Sequence, residues 1–450
     1  MSARIRVLAG MVALVVASCS AGLASPVASP TTATPASTSA PATSTIPPAT
    51  STTTAPDLVL VLDETERLAL RGGVTLRIES DGQPMGSLSD AEPRVSLAGT
   101  GGGAGDLVFT YIGADGAAGD VSWTQHAAPG VAELVVVQPW REAGASSGDV
   151  VLAWQRNRSS LAEATAEVTG LPLTAVSPLW WNINDEAELT GRADPDYVAA
   201  MQGLGLLVWP AVQGLHADGL HVLLNDPELR RSTIAELSDG TRASGADGFN
   251  IDLEGFRDED GEAFSVFVEE LAAAVHEWGG TVSYDLVPRS DTWDVTPPEL
   301  AYWSTAPQRR RLAAAVDYTV LMTYDQHNRY RPAGPVAAPA WVEEMVIYQL
   351  RYSDPHEIVL GLPAYGRLWD PEELDAPRAL GFGALRELGG ERSPDPTFAV
   401  DRLDLDDGRF YWADHEVTPE RVALGEAYGL SGVAVWRLGL DDSGLWEALR

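Results

Sequence analysis

Lysine is absent from this chain of 450 residues: all 30 basic side chains are arginine, set against 64 aspartates and glutamates for a formal net charge of −34. A surface that acidic is repelled by phosphate backbones and by anionic lipid, so nucleic acid is excluded as a partner. Cysteine is nearly absent too. The single thiol, Cys19, rules out an internal disulfide and any metal site built from cysteines. The seven histidines are scattered and form no H-E-x-x-H pair, and the nearest calcium-like turn, Asp404 to Gly408, puts Leu405 where a ligand is needed. With no G-x-S-x-G elbow and no phosphate loop either, neither a metal nor a cofactor is expected. What the chain does have is bulk: 45% apolar residues can bury a sizeable core, and the length suits two folded units and a tail.

The tail is at the front. Arg4 and Arg6 precede an apolar run over 7–17 that is too short to span a bilayer, and Val16-Ala17-Ser18-Cys19 follows as a small-residue processing site. The segment resembles a bacterial lipoprotein signal, which implies cleavage after residue 18 and lipid on Cys19; an ordinary secretory signal cut near Ala24 is the alternative. From 19 to 56 the chain collapses to Ser, Thr, Pro and Ala, which cannot form a core and suits an extended spacer. Short β-prone runs at 58–62, 74–78, 107–112 and 131–138 then predict a small all-β domain over 57–147. Within it Gly99 to Ala104 spells G-x-G-x-x-A, but a strand-like run follows instead of a helix, so no dinucleotide site is expected.

Beyond 148 strands and helices alternate. Apolar runs at 150–154, 173–181, 206–212, 248–253, 281–287, 318–324, 358–363 and 433–438 make eight strands. Between them Ser160-Leu-Ala-Glu163 reads as a capping box, while Asp194-Pro195, Asp226-Pro227 and Thr418-Pro419 each read as a cap before a first-turn proline. Eight such units predict a (β/α)8 TIM barrel over 148–450, with its active site at the carboxyl ends of the strands; an open doubly wound sheet is the second choice. The stretch 368–416 is too long for a plain loop. A hairpin of 398–405 and 409–413 inside it predicts an inserted α+β subdomain after the seventh strand.

Chemistry concentrates at Asp247-Gly-Phe-Asn250-Ile-Asp252-Leu-Glu254. On a strand, Asn250, Asp252 and Glu254 share one face, and Phe249, Ile251 and Leu253 share the other. An inward row of two carboxylates and an amide is costly to bury unless it is hydrogen-bonded and used. Glu254 falls at the strand's carboxyl end, where barrel catalysis takes place.

These residues resemble glycoside hydrolase family 18, whose motif D-G-x-D-x-D-x-E is met at Asp247, Gly248, Asp252 and Glu254, with Asn250 standing in place of an aspartate. Met322-Thr-Tyr324-Asp325 is similar to the family's M-x-Y-D, Gly361-Leu-Pro-Ala-Tyr365-Gly-Arg367 to its seventh-strand motif, and Trp436 to the aromatic floor of its sugar subsite. The wording DGFNIDLEG, LMTYDQHNRYRPAGPV and GVAVWRLGLDD is similar to the bacterial spore-cortex-lytic N-acetylglucosaminidase branch, in which asparagine at the middle position is usual. The LysM wall-binding repeats often found there are missing. The resemblance implies a substrate-assisted retaining reaction in which the sugar's own 2-acetamido oxygen is the nucleophile. Glu254 would be the general acid and then the base, Asp252 would orient the acetamido group, and Tyr324 would donate a hydrogen bond to its oxygen. Asn250, Asp247, Asp325, Met322, Trp436, Tyr365, Arg367 and Trp181 would bind substrate. Asn250 cannot hold charge, so proton sharing deeper in the row is expected to be weaker than with a third acid.

Among 14 tryptophans, Trp180, Trp181, Trp209, Trp293 and Trp436 fall near strand ends, where indole faces could stack on sugar rings. Core packing is the competing reading, for Trp209 above all. His327 is expected at a loop or cleft rim rather than on a metal. The expected protein is therefore a monomeric surface lipoprotein, extracytoplasmic, touching the membrane only through its lipid and cleaving β-linked N-acetylglucosamine glycans of the peptidoglycan or chitin type. A catalytically dead lectin of the same family, or a wall-binding structural lipoprotein, are the alternatives.

Overall fold

The computed structural model describes residues 58–62, 67, 69–70, 73–97, 105–113, 116, 118–127, 132–136, 150–290 and 308–450. Cys19, the signal segment and the 19–56 spacer lie outside the described residues, as do 98–104 and Trp293.

Eight parallel strands close on themselves: β1 Val150–Gln155, β2 Ala175–Ile183, β3 Ala211–Gly214, β4 Gly248–Leu253, β5 Thr281–Leu286, β6 Tyr318–Leu321, β7 Ile358–Pro363 and β8 Gly432–Trp436. Each pairs with its neighbour in sequence, and β8 pairs with β1 while β1 pairs with β2, so the ring has no open edge and the doubly wound sheet is ruled out. The expected third strand, 206–212, is divided. Leu207–Val208 pairs with the start of β2, Pro210 has no N–H to give a ladder, and the chain rejoins the ring only at Ala211.

Two of the expected helix starts hold in full. Asp194 accepts from the Asp196 and Tyr197 amides, and Asp226 from those of Glu228 and Leu229, each before a first-turn proline. Ser160 caps its helix at Glu163 N, but the Glu163 carboxylate takes the Ser159 hydroxyl, so only half of the box forms. Thr418 is the first helical residue rather than the cap; Val417 precedes it and gives no side-chain bond.

Inside the ring the packing is layered. Leu152, Trp154, Ala175, Trp209, Tyr318, Val320, Val359 and Ala434 fill the barrel, with Trp209 stacked on Tyr318 at 5.7 Å. That settles Trp209 as core. Ser177, Asn250, Ser283, Asp252 and Asp285 are also buried, and they bring polar groups to the strands around β4. Phe249, Ile251 and Leu253 face outward and join the core that holds Phe264, Phe267 and Val268 of helix Gly261–His276.

After β7 the chain leaves the barrel. Strand Tyr365–Leu368 pairs with Arg378–Gly381, helix Phe382–Leu388 follows, and Glu391–Ser393, Arg402–Asp404 and Phe410–Trp412 form a three-stranded antiparallel sheet. The expected hairpin is the last two of these. Before the barrel, the described residues form two sheets: Arg94–Leu97, Leu58–Leu62 and Glu133–Val136 in one, Gln83–Ser89, Thr75–Ser80, Gly105–Ile112 and Ala118–Ala127 in the other.

Candidate active site

The row on β4 points inward, as its period of two requires, and Asn250 is satisfied at every position. Its Oδ1 accepts from Trp154 Nε1 at 3.0 Å and Ser177 Oγ at 3.4 Å, and its Nδ2 donates to Ser283 Oγ at 2.9 Å and Asp285 Oδ1 at 2.8 Å. Asp252 is buried one step up the row and accepts from Gln213 Nε2 of β3 at 2.7 Å. Glu254 stands just past the strand, partly exposed, its amide donating to the Gly214 carbonyl at 2.9 Å.

Three carboxyls, Asp252, Asp285 and Glu254, therefore gather here, the first two buried and the third at the cleft. Burial pushes Asp252 up to about 6, against the Gln213 bond, which lowers it. Burial also holds Glu254 well above the ordinary glutamate value, and the charges of Asp252 and Asp325 add to it. An acid held well above its ordinary value beside a second carboxyl is the arrangement general-acid chemistry needs.

The wall opposite comes from the segment after β6. Thr323 N bonds Leu321 O and Tyr324 N bonds Met322 O, both at 2.8 Å, so the chain curls tightly as it leaves the strand. The Tyr324 hydroxyl is buried near Asp285, Asp252 and Glu254 with no hydrogen-bond partner among the described residues. Asp325 sits at φ +61°, a left-handed conformation that few side chains adopt, and its Oδ1 accepts from both Tyr365 Oη and Arg367 Nη2, the latter at 2.6 Å. Arg367 is buried, so this ion pair fixes Asp325 beneath the cleft. Trp436 closes β8 with its ring edge-on to Trp154 at 5.5 Å, partly exposed as a floor would be. Met322 is buried beside β7, its Cα next to Gly361, where a Cβ would come within 3.0 Å of it.

Asn250, fully buried with both side-chain atoms engaged by protein, has nothing left to give a substrate, and two further expected contacts are elsewhere. Trp181 lies on the outer face, against Gly240 of helix Pro227–Ser244, because the ladder between β2 and β3 skips Trp180: Leu179 pairs with Ala211 and Trp181 with Val212. That bulge reverses the alternation, turns Asn182 inward level with Gln213, and leaves Trp180 edge-on to Tyr197. Asp247 stands at the opposite end of β4 from Glu254, about 20 Å away along the strand, where it accepts from Val208 N at 2.9 Å and from Gln202. It ties strands together at the barrel's bottom and cannot reach a substrate. His327 is a loop residue, as expected: its Nδ1 bonds the Pro332 carbonyl at 2.8 Å and its ring meets Phe398 edge-on.

Gln213 and Asp285 carry the reverse lesson, since neither was singled out in the sequence. For Asp285 a signal existed: Ser283 and Asp285 alternate with Val282, Tyr284 and Leu286 in the same period of two that marks β4. Among the described residues no group of three His, Cys, Asp or Glu is placed to hold a metal ion, and no helix is long and apolar enough to cross a membrane.

Comparison with known proteins agrees with this geometry. The sequence pattern of the glycosyl hydrolases family 18 matches residues 205–441. The chain is 24% identical over 212 residues to an uncharacterized glycosylase, YvbX, of Bacillus subtilis, covering 45% of this chain and 60% of that protein. It is 28% identical over 240 residues to the cortical fragment-lytic enzyme of B. subtilis, covering 51% of this chain and 54% of that one. It thus spans little more than half the length of these relatives. Among solved structures, a chitinase from Chromobacterium violaceum superimposes with a TM-score of 0.59 at 23% identity over 67% of this chain and 98% of its own. The Bacillus cereus spore cortex-lytic enzyme SleL gives 0.57 at 19% over 68% of this chain and 74% of its own.

Proposed function

This chain belongs to glycosyl hydrolases family 18, and we propose that it hydrolyses β-linked N-acetylglucosamine glycans by a retaining, substrate-assisted route. The observation that carries this reading is the meeting of two carboxyls, Asp252 and Glu254, both held above their ordinary values, with a tyrosine hydroxyl that has no hydrogen-bond partner among the described residues. Glu254 protonates the leaving glycosidic oxygen. The 2-acetamido oxygen then closes on the anomeric carbon as that bond breaks, Asp252 holds the acetamido N–H and offsets the positive charge of the ring formed, and Tyr324 donates to the acetamido oxygen. Glu254, now ionised, takes a proton from the water that opens the intermediate with overall retention. Trp436 supplies an apolar face for the sugar.

The lectin alternative loses ground because such a protein has no use for an acid held well above its ordinary value at the cleft, as Glu254 is. Peptidoglycan is the favoured substrate, since cortical fragment-lytic enzymes of three Bacillus species are among the relatives by sequence, with chitin the second. Digestion of both polymers by the purified protein, with product analysis, tests the choice; no release from either would remove the reading.

The two raised acids set a pH profile. Turnover needs Asp252 ionised and Glu254 protonated, so kcat/KM should rise as pH passes about 6, where Asp252 loses its proton, and fall again on the basic side as Glu254 loses its own. A flat profile between pH 4 and 8 would contradict the assignment. Lipid on Cys19 would hold the enzyme on the outer face of the membrane, with 19–56 as a spacer. Cys19→Ser should then move the protein from the membrane fraction to the medium; a variant that still sediments with membranes would refute the anchor.

A further inference from the structure

Asn250 removes one acid from the row on β4, yet the region around it is not short of carboxyls. Strands β4 and β5 run parallel with Asn250 opposite Ser283 and Ile251 opposite Tyr284, and one step further along that register stand Asp252 and Asp285. Adjacent strands lie about 4.8 Å apart, so these two carboxyls are neighbours inside the barrel. Asp285 is 1% exposed. Its Oδ1 accepts from Asn250 Nδ2 at 2.8 Å, while its Oδ2 is buried with no hydrogen-bond partner among the described residues. The titratable groups that bear on it include Asp252 from β4, Glu254 just past it and Tyr324 from the segment after β6, while Tyr284, next to it on its own strand, points to the other face.

We infer that Asp285 is a positioning residue that supplies from β5, as a protonated carboxyl, the third acid that Asn250 does not supply on β4. Two ionised carboxylates at neighbouring register positions in a dry core repel, and an ionised Asp285 would leave a bare charged oxygen at Oδ2. A proton on Oδ2 removes both penalties and leaves Oδ1 free to accept from Asn250. Burial and the charge of Asp252 both act in that direction, against the Asn250 and Trp154 donors, which lower it, and hold the Asp285 carboxyl well above the ordinary aspartate value. With its proton kept one strand away, Asp252 remains the group that ionises and meets the substrate. The inference rests on the proposed roles of Asp252 and Glu254.

The Asn250 contacts make it sharply testable. Asn250→Asp would restore the family's letter but place a carboxylate oxygen against Asp285 Oδ1, where an N–H now donates. The family-like variant should therefore be the damaged one. A like charge at that distance raises a neighbouring carboxyl by about one unit or more, so the acid limb of kcat/KM should move up in pH and activity at pH 6 should fall at least ~10-fold. Asp285→Asn keeps the shape of a protonated acid, its carbonyl accepting from Asn250, and should stay within about threefold of wild type. The double variant Asn250→Asp/Asp285→Asn exchanges amide and acid between the strands and should return both the rate and the acid limb towards wild type. A merely structural role would not shift the limb or permit that exchange. Asn250→Asp at wild-type rate, an Asp285→Asn variant as inactive as Asp285→Ala, or a double variant worse than both singles would each overturn the inference. Thermal melting of the same four proteins reads it without turnover: Asn250→Asp should lower Tm at pH 7 and the exchange should restore it. If the wild type proves inert on every glycan while the melting series behaves this way, the functional reading fails and the placement of the third acid stands.

Discussion

Glu254→Gln is expected to abolish turnover of glycans with poor leaving groups while leaving their affinity nearly unchanged. The amide keeps the shape of the protonated acid but has no proton to give, and loss of a general acid typically forfeits a factor of ~10²–10⁴. Stability should move the other way. Because the folded-state value of Glu254 is raised above its ordinary 4.5, the folded protein binds that proton more tightly than the unfolded chain does. The associated stability is complete below the ordinary value and is lost as pH rises through the folded one. A glutamine has no such pH-dependent loss, so the variant should melt above wild type at pH 7, with the gap closing towards pH 4. Isothermal titration with a chito-oligosaccharide, a rate assay and a melting curve check all three; near wild-type rates would remove Glu254 from its role.

Arg421→Met should unfold the protein more readily by about 3–5 kcal/mol, the usual consequence of leaving one partner of a buried ion pair alone. Arg421 is fully buried, and its Nη2 meets Asp414 Oδ1 at 3.0 Å while Nε and Nη2 donate to the Ala337 carbonyl. Asp414 in turn accepts from Val336 N at 3.0 Å and Ala337 N at 3.2 Å. These contacts fasten the inserted subdomain to the loop that begins at Asp325, through Gln326, whose amide donates to the Val336 carbonyl and whose side chain accepts from Ala338 N. The variant should lose activity as well as stability, since Asp325 loses its support. Burial already raises Asp414, and Arg421 opposes that; without the guanidinium the carboxyl rises further and protonates. The deficit should accordingly shrink as pH falls through the carboxylate range. Denaturant melts at pH 4.5 and pH 7.5 check this, and an equal deficit at both would show that the pair matters through packing alone.

The barrel was legible because eight apolar runs are each separated by helix-length stretches, and a parallel strand buried on both faces has no other way to look. The row on β4 was legible for the same kind of reason, three polar positions interleaved with three large apolar ones. What failed was anything decided by a break in that period. A bulge at Trp180 turned Trp181 away from the cleft, and Pro210 cut the third strand so that Gln213 fell outside its expected end. Asp247 was misplaced by its letter in a motif: seven positions before Glu254 on an extended strand is the far end of the barrel. Asp285 was overlooked because one acid in an apolar run carries no motif, and its meaning comes only from the strand beside it.

The central claim is that the substrate, not the enzyme, supplies the nucleophile between Asp252 and Glu254. Proton NMR of a cleaved N-acetylated chito-oligosaccharide or glycan strand, recorded within the first minutes before mutarotation, tests it directly. The mechanism requires the β-anomer to appear first, and requires the de-N-acetylated substrate to remain intact under the same conditions. Initial release of the α-anomer, or efficient cleavage without the acetamido group, would contradict it.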